Sequence, residues 1–237
     1  MQVTYFRPRK PGPESRLEDA VANRIPQLFP DTCWTAGSLP LGAGIPDLVI
    51  VRCEPKVYAL ANVPLLNAQI LAYLRAVACA RVDTIANRIG CREHIIIRNL
   101  ENLVQVQAVL SEANAYRLAP EWRDILPEIV TVEVKVANWR RAVDQASRNS
   151  IFAHRSFVAL PQQTAIRVRR EDMFQQTGVG LLGVDDDNEV QMIRRPVRRQ
   201  PRVWIYYYQV ALFAAKNSQG THYALCCADS NGSGQLP

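Results

Sequence analysis

Apolar and charged residues alternate through Val132-Glu133-Val134-Lys135-Val136, and this period of two predicts a strand over residues 129 to 136. Its valines share one face, while Glu133 and Lys135 project together from the other. Unbroken apolar runs predict a buried strand over residues 47 to 52 and further strands over residues 155 to 160 and from Gly178 to Gly183. Glu54-Pro55 marks a turn, after which Lys56-Val57-Tyr58-Ala59-Leu60 reads as the return strand of a hairpin. Residues 32 to 46, with Gly37, Gly42 and Gly44, predict a strand and a loop leading into Asp47. Helical spacing predicts helices over about residues 16 to 29, 139 to 150 and 164 to 176, and an amphipathic helix from Trp204 to Lys216.

The middle of the chain changes character. Ile70, Leu71, Leu74 and Val77 form one helical face between Asn67 and Ala80. Asp83 caps a short helix, Thr84 to Ile89, and Gly90-Cys91 makes a tight turn before a longer helix from Arg92 to about Val104. Tyr116-Arg117-Leu118 then reads as a short strand. Three helices, a glycine turn before the third and a terminal hairpin resemble a winged helix-turn-helix domain, on the stretches from Asp83 to Cys91 and from Asn99 to Val109. A small helical insertion that only packs on the core is the alternative. On this reading residues 1–64 and 121–220 are two parts of one core, 65–120 an insertion and 221–237 a tail whose last residues, Ser230 to Pro237, are disordered.

Charge and cysteine usage narrow the setting. The 28 Lys and Arg residues outnumber the 22 Asp and Glu, giving a formal +6 that permits a polyanionic partner. Only Lys10, Lys56, Lys135 and Lys216 are lysines, which favours a chemical role for the one at 135, a compact charge whose pKa responds to burial. Residues 1 to 13 predict a mobile arm able to touch phosphates. Arg194 to Arg202 is a flexible, proline-broken basic run, suited to phosphate contacts or else a solvated loop. Asp185-Asp186-Asp187-Asn188 lacks the spacing of a calcium loop and reads as a hairpin turn. No apolar run long enough to span a membrane and no apolar leader core occur, so a cytoplasmic protein is expected. None of the six cysteines forms a C-x-x-C pair, and reduced core thiols rather than a zinc site are expected.

Glu-x-Lys on a half-buried strand can be a plain surface ion pair. Here, however, Gly44-Ile45-Pro46-Asp47 sets another carboxylate at the mouth of the strand Leu48-Val49-Ile50-Val51. Two acids and one lysine at strand ends are what metal-assisted phosphodiester cleavage needs. Pro46-Asp47, then Glu133-x-Lys135, then a helix resembles the PD-(D/E)XK nuclease superfamily, with its restriction-endonuclease-like fold. Glu18 matches an acid that the family often carries on its first helix, although a capping box with Ser15 would also place a glutamate there. Gln145 matches a glutamine on the helix after the Glu-x-Lys strand, and Arg155 to Pro161 the next core strand. The resemblance covers the chain outside about residues 65 to 120. Two features depart from the pattern: more than eighty residues separate Asp47 from Glu133, and Asn149 stands where some members have tyrosine.

The resemblance implies an α/β fold, a restriction-endonuclease-like mixed sheet flanked by helices and interrupted by the winged-helix insertion. It implies a Mg²⁺-dependent endodeoxyribonuclease, with Mn²⁺ as a substitute metal, acting on double-stranded DNA. Asp47 and Glu133 would hold the metal, Lys135 would orient or help deprotonate the attacking water, and Glu18 and Gln145 would complete the site. Arg92, Arg98, Arg140, Arg141, Arg194, Arg195, Arg198 and Arg199 would contact DNA, and a homodimer is compatible with this arrangement. A non-catalytic DNA-binding regulator on a nuclease scaffold and an RNA-processing nuclease are the alternatives.

Overall fold

The computed structural model describes residues 2–42 and 44–229, with side chains through residue 218. Two compact units share the chain, the first comprising Met1–Cys53 and Leu126–Tyr207, the second Glu54–Ile125 and the chain from Tyr208 onward. Unit 1 opens with β1 (Thr4–Tyr5), α1 (Pro13–Leu28), β2 (Trp34–Gly37) and β3 (Leu48–Arg52). Unit 2 follows with a 3-10 turn over Pro55–Leu60, helices α2 (Asn67–Ala76), α3 (Val82–Ile89) and α4 (Glu93–Gln105), and a hairpin of β4 (Val109–Glu112) and β5 (Ala115–Leu118). The chain re-enters unit 1 through β6 (Glu128–Val134), α5 (Trp139–Asn149), β7 (Arg155–Pro161), α6 (Gln162–Val168), α7 (Asp172–Thr177), β8 (Gly180–Val184) and β9 (Val190–Arg194). It ends in α8 (Trp204–Asp229).

The α/β class is as expected. Unit 1 holds a seven-stranded mixed sheet in the order β1-β2-β3-β6-β7-β8-β9, and helices pack on it. β1 and β2 run parallel, as do β6, β7 and β8, and the remaining pairs are antiparallel. Alternation sorts the strand residues between two cores. Val130, Val132 and Val134 of β6 join Ile50, Phe157 and the α1 residues Ala20, Val21 and Ile25. Val158 and Leu160 of β7 and Leu181 of β8 instead pack against Ala142, Val143 and Ala146 of α5. In α1 the cap is Gly12, with Pro13 at the first position, where its missing N–H costs nothing. Ser15 sits in the first turn, its hydroxyl accepting from Gly12 N–H at 3.0 Å, so Glu18 is not part of a Ser15 capping box.

Within unit 2, Gly90 takes the left-handed conformation that closes α3, and Asp83 lies inside the first turn of that helix rather than at its cap. A buried pair, Asn67 Nδ2 to Asn99 Oδ1 at 2.9 Å, joins α2 to α4. An isolated bridge between Ala80 and Tyr116 adds a third short edge to the β4–β5 hairpin. From α8, the Tyr208 hydroxyl donates to Trp122 O at 3.0 Å.

Several expectations need correction. Lys56 to Leu60 is a 3-10 turn, not a strand: Val57 and Leu60 are the buried positions, three apart, which suits a helical period rather than alternation. The arm is docked rather than mobile, since β1 pairs with β2 and Arg9 contacts Asp19 at 2.6 Å. Residues 164 to 176 divide into α6 and α7. α8 continues past Lys216, and from Trp204 to Ala215 none of its side chains is exposed, so that stretch is wrapped rather than amphipathic. Cys33 and Cys53 form a disulfide with Cα atoms 5.9 Å apart, so these two are not reduced thiols. The basic run is pinned by Val197 N–H to Gly178 O, Arg199 N–H to His154 O and Arg202 N–H to Ile151 O. Ser230 to Pro237, expected to be disordered, lies outside the described residues. No helix among the described residues is long and apolar enough to cross a membrane.

The two chain crossings between units are neighbours, because Arg52 and Glu128 are register partners in the β3–β6 pair. Replacing residues 54–125 by a short Gly/Ser linker and ending the chain after Tyr207 should therefore leave a soluble protein with a cooperative melt, since loop closure grows slowly with length. The same replacement with α8 intact should aggregate, because Leu212 and Phe213 lose their neighbours at residues 61–65. Size-exclusion profiles and thermal melts of the two variants check this.

Candidate active site

The antiparallel register pairs Leu48 with Val132. One residue further along, at the open end of both strands, it sets Asp47 across from Glu133. Asp47 is held there by backbone on both sides: Ser38 N–H donates to its carbonyl at 3.0 Å, and Val134 N–H donates to its Oδ2 at 2.7 Å. Lys135, just past the end of β6, keeps the ladder through Lys135 N–H to Ala159 O at 3.1 Å. Its Nζ lies 3.4 Å from Asp47 Oδ2 and 3.6 Å from Glu14 Oε2, and donates to Val134 O at 2.8 Å.

Glu133 is only 2 % exposed. Its Oε1 accepts from Asn149 Nδ2 at 2.7 Å, the only hydrogen bond to its side chain shown among the described residues. Burial, and then the charge of Asp47, push the Glu133 carboxyl up to about 8, while Asn149, Lys135 and Arg148 draw it down. Burial by itself would lower Lys135, but Asp47, Glu14 and Glu133 outweigh it and hold the ammonium above its usual range. Lys135 is thus a fixed cation and Glu133 a carboxyl short of positive charge.

Glu18 reaches the same place from α1. Together with Pro8, Arg9, Lys10, Glu14, Ser15, Ser38, Asp47 and Val134 it lines a cleft of about 210 Å³. Burial raises its carboxyl, a Tyr5 hydrogen bond draws it back, and Asp47 adds to the rise. Four of the five expected catalytic residues, Asp47, Glu133, Lys135 and Glu18, are therefore close enough to act on one another electrostatically. Gln145 is half-buried on α5, one turn before Asn149, and its Oε1 is buried without a hydrogen-bond partner. Asn149, noted in the sequence only as a departure, is the residue that grips Glu133. Its i+4 spacing from Gln145 was the available signal. Glu14 and Tyr5 carried no signal of their own.

The basic residues are distributed unevenly. Arg140 and Arg141 are exposed on α5, with Arg140 stacked 4.5 Å over Trp139. Arg194 is half-buried in β9 and Arg195 exposed; Arg198 and Arg199 are exposed but donate to Pro127 O and Thr177 O, each at 2.9 Å. Arg92 and Arg98 are exposed in unit 2, where they share the α4 surface with Glu93, Glu101 and Ile97. With 19 basic and 14 acidic residues, unit 1 carries +5 of the formal +6.

The chain matches no protein-family model, and neither curated proteins nor solved structures give a match.

A carboxyl raised from 4.5 to about 8 stabilises the folded state below the unfolded value and withdraws that contribution as pH rises through about 8. Without added metal, the urea midpoint should fall across this window, by on the order of a few kcal/mol in unfolding free energy. Glu133→Gln, which has no charge to bury, should lack that fall and be the more stable protein at pH 9. Parallel midpoint curves for the two proteins would sink the assignment.

Proposed function

We propose that the protein is a divalent-metal-dependent endonuclease acting on double-stranded DNA, with its active site in unit 1. The observation that carries this is the juxtaposition of Asp47, buried Glu133 and the Lys135 ammonium at the ends of adjacent strands. β6 leads into α5 and then into β7, parallel to β6, an order that supports the likeness to the PD-(D/E)XK superfamily. The basic excess of the same unit suits a polyanionic substrate.

The donor set fits a hard cation. Among the described residues no three carboxylate, histidine or cysteine side chains form a ready cage, but Mg²⁺ typically takes one or two carboxylates and keeps several waters. Asp47, whose Oδ2 is engaged, and Glu133, whose Oε1 is engaged, would hold it with their other oxygens. Bound there, it would act as a Lewis acid on the scissile phosphate.

The remaining work falls to the chain's own groups. Lys135, kept as an ammonium by three carboxylates, orients the attacking water and faces the charge that builds on phosphorus. Its raised pKa makes it a poor base, so of the two roles expected for it, orienting is the one the electrostatics favour. Asn149 fixes Glu133, and Glu18 contributes a further acid at the cleft. Unit 2, with α2, α3, a left-handed Gly90, α4 and the β4–β5 hairpin, supports a winged-helix reading in which Arg92 and Arg98 meet DNA. The mixed charge of its α4 surface favours a reading in which most of the phosphate grip belongs to Arg140, Arg141, Arg194 and Arg195.

Asp47→Ala, Glu133→Ala and Lys135→Ala should each lower plasmid cleavage in Mg²⁺ by at least about 100-fold while leaving DNA affinity within about threefold. Cleavage by Asp47→Ala at the wild-type rate would show that the site lies elsewhere. Removing Arg140, Arg141 and Arg195 together should flatten the dependence of log K on log salt by roughly one unit per lost contact. Titrations between 50 and 200 mM salt measure it, and an unaltered slope would make these residues ordinary solvated surface.

A further inference from the structure

We propose that Lys10 is a substrate-binding residue of the cleft, its ammonium taking the DNA phosphate next to the scissile one, and that the docked β1 arm holds it there. The proposal rests on the nuclease reading above for the identity of the substrate. The placement of Lys10 is independent of that reading.

The other cations at the cleft are committed. Lys135 stands 3.4 Å from Asp47 Oδ2 and 3.6 Å from Glu14 Oε2. Arg9 pairs with Asp19 at 2.6 Å and lies 3.8 Å from Glu18 Oε1. Lys10 lines the same cleft as Glu14, Glu18 and Asp47, yet it is exposed and pairs with no carboxylate among the described residues. The chain has only four lysines, and two of them, Lys10 and Lys135, serve this one site. An ammonium is a compact, strongly hydrated charge, so one left unpaired at a rim costs little in water and stays available to an incoming anion.

The arm fixes the position of this lysine. β1 pairs with β2 over two residues, Thr4 with Ala36 and Tyr5 with Gly37, extended by Phe6 N–H to Gly37 O at 3.0 Å. So short a strand gains little from its ladder. Its anchor is the Tyr5 ring, which fills the place of the missing side chain at position 37, where a Cβ would overlap Tyr5 Cε1. Arg9 closes back over the same ring, its Cζ 4.1 Å from the centroid, and reaches Asp19 on α1. Lys10 thus follows directly on a clamped guanidinium, and Pro11 behind it biases its backbone toward extended conformations. Held in this way, it loses less freedom on binding than a side chain on a mobile arm would. Lys135 is tied to a carboxylate that would hold the metal and so faces the reacting phosphate, whereas Lys10, at the exposed edge, meets the next phosphate of the same strand. That phosphate keeps its charge throughout cleavage, so attraction to it stabilises bound substrate and transition state alike and acts on KM rather than kcat.

The test uses the full-length protein as wild type, Lys10→Ala, Lys10→Arg, Tyr5→Ala and the double variant of Tyr5→Ala with Lys10→Ala. Cleavage of a labelled duplex is measured in Mg²⁺, duplex affinity in EDTA across a salt series, and unfolding in urea. Lys10→Ala should raise KM about tenfold with kcat within about twofold, and lower the slope of log K on log salt by about one unit. Lys10→Arg keeps the charge and should recover most of the affinity. Tyr5→Ala leaves Lys10 its charge but releases the arm, so removing Lys10 should cost markedly less in that background than in wild type. Should Tyr5→Ala lose its cooperative unfolding, Asp19→Asn, which releases Arg9 from α1, takes its place.

Unchanged KM and slope in Lys10→Ala, a loss confined to kcat, or no recovery in Lys10→Arg would overturn the proposal. So would a Lys10→Ala effect of equal size with the arm anchored and with it released. If the wild type cuts no duplex, the nuclease reading is what fails, and the salt series then decides alone. A slope lowered by about one unit would uphold Lys10 as a phosphate contact, and an unaltered slope would remove it. A wild type that binds no duplex removes both.

Discussion

The register between β3 and β6 is the constraint on which the site depends. It is set by burial rather than by the polar groups. Val130, Val132 and Val134 must face α1, and a slip of one residue would turn them to the other face of the sheet and set Thr131 and Glu133 against α1 in their place. The same one-residue slip would carry Asp47 away from Glu133 and from the Val134 N–H that fixes its Oδ2. The hydrophobic core thus specifies carboxylate placement to within a residue, and no additional interaction is needed to bring the two acids together.

Around those acids the electrostatics are deliberately unequal. Asp47 has a backbone donor and an ammonium beside it, and Glu133 has a single amide donor in a dry place. Of the two, Glu133 is the less compensated, because burial and the charge of Asp47 outweigh Asn149, Lys135 and Arg148. The charge supply also differs between the units. Unit 1 carries nearly all of the basic excess, whereas on α4 Arg92 and Arg98 are interspersed with Glu93 and Glu101. On the proposed function, phosphate affinity would then rest mainly on unit 1.

Much of this was legible in the sequence, and for identifiable reasons. The period of two in β6, the apolar run of β3 and the helix after Asn138 are strong local patterns, and so is the left-handed Gly90 that separates α3 from α4. What escaped notice depends on contacts distant in sequence. Two residues of β1 are too few to show a period, and their pairing depends on an absent side chain at Gly37. Asn149 is an ordinary helix residue until Glu133 is placed beneath it. Lys56 to Leu60 imitates a strand because Val57, Ala59 and Leu60 are apolar, although the buried pair is three apart. The spacing of Cys33 and Cys53 showed no motif, because their closeness follows from the β2–β3 register, in which Trp34 opposes Val51.

That cross-link gives the chain a ring. The covalent circuit from Cys33 to Cys53 encloses β2, the loop beyond it, Asp47 and β3, so the acid is carried on a closed loop whose ends cannot diverge even when the rest of the molecule is unfolded. For a ring of this length, the entropy removed from the unfolded chain amounts to about 3 kcal/mol. Folding therefore starts with one hairpin of the sheet already tethered near its native register. Thiol reduction would open the circuit at the end of the hairpin away from Asp47, enlarging the conformational search for β2 and β3 while leaving every side chain of the cleft chemically unchanged.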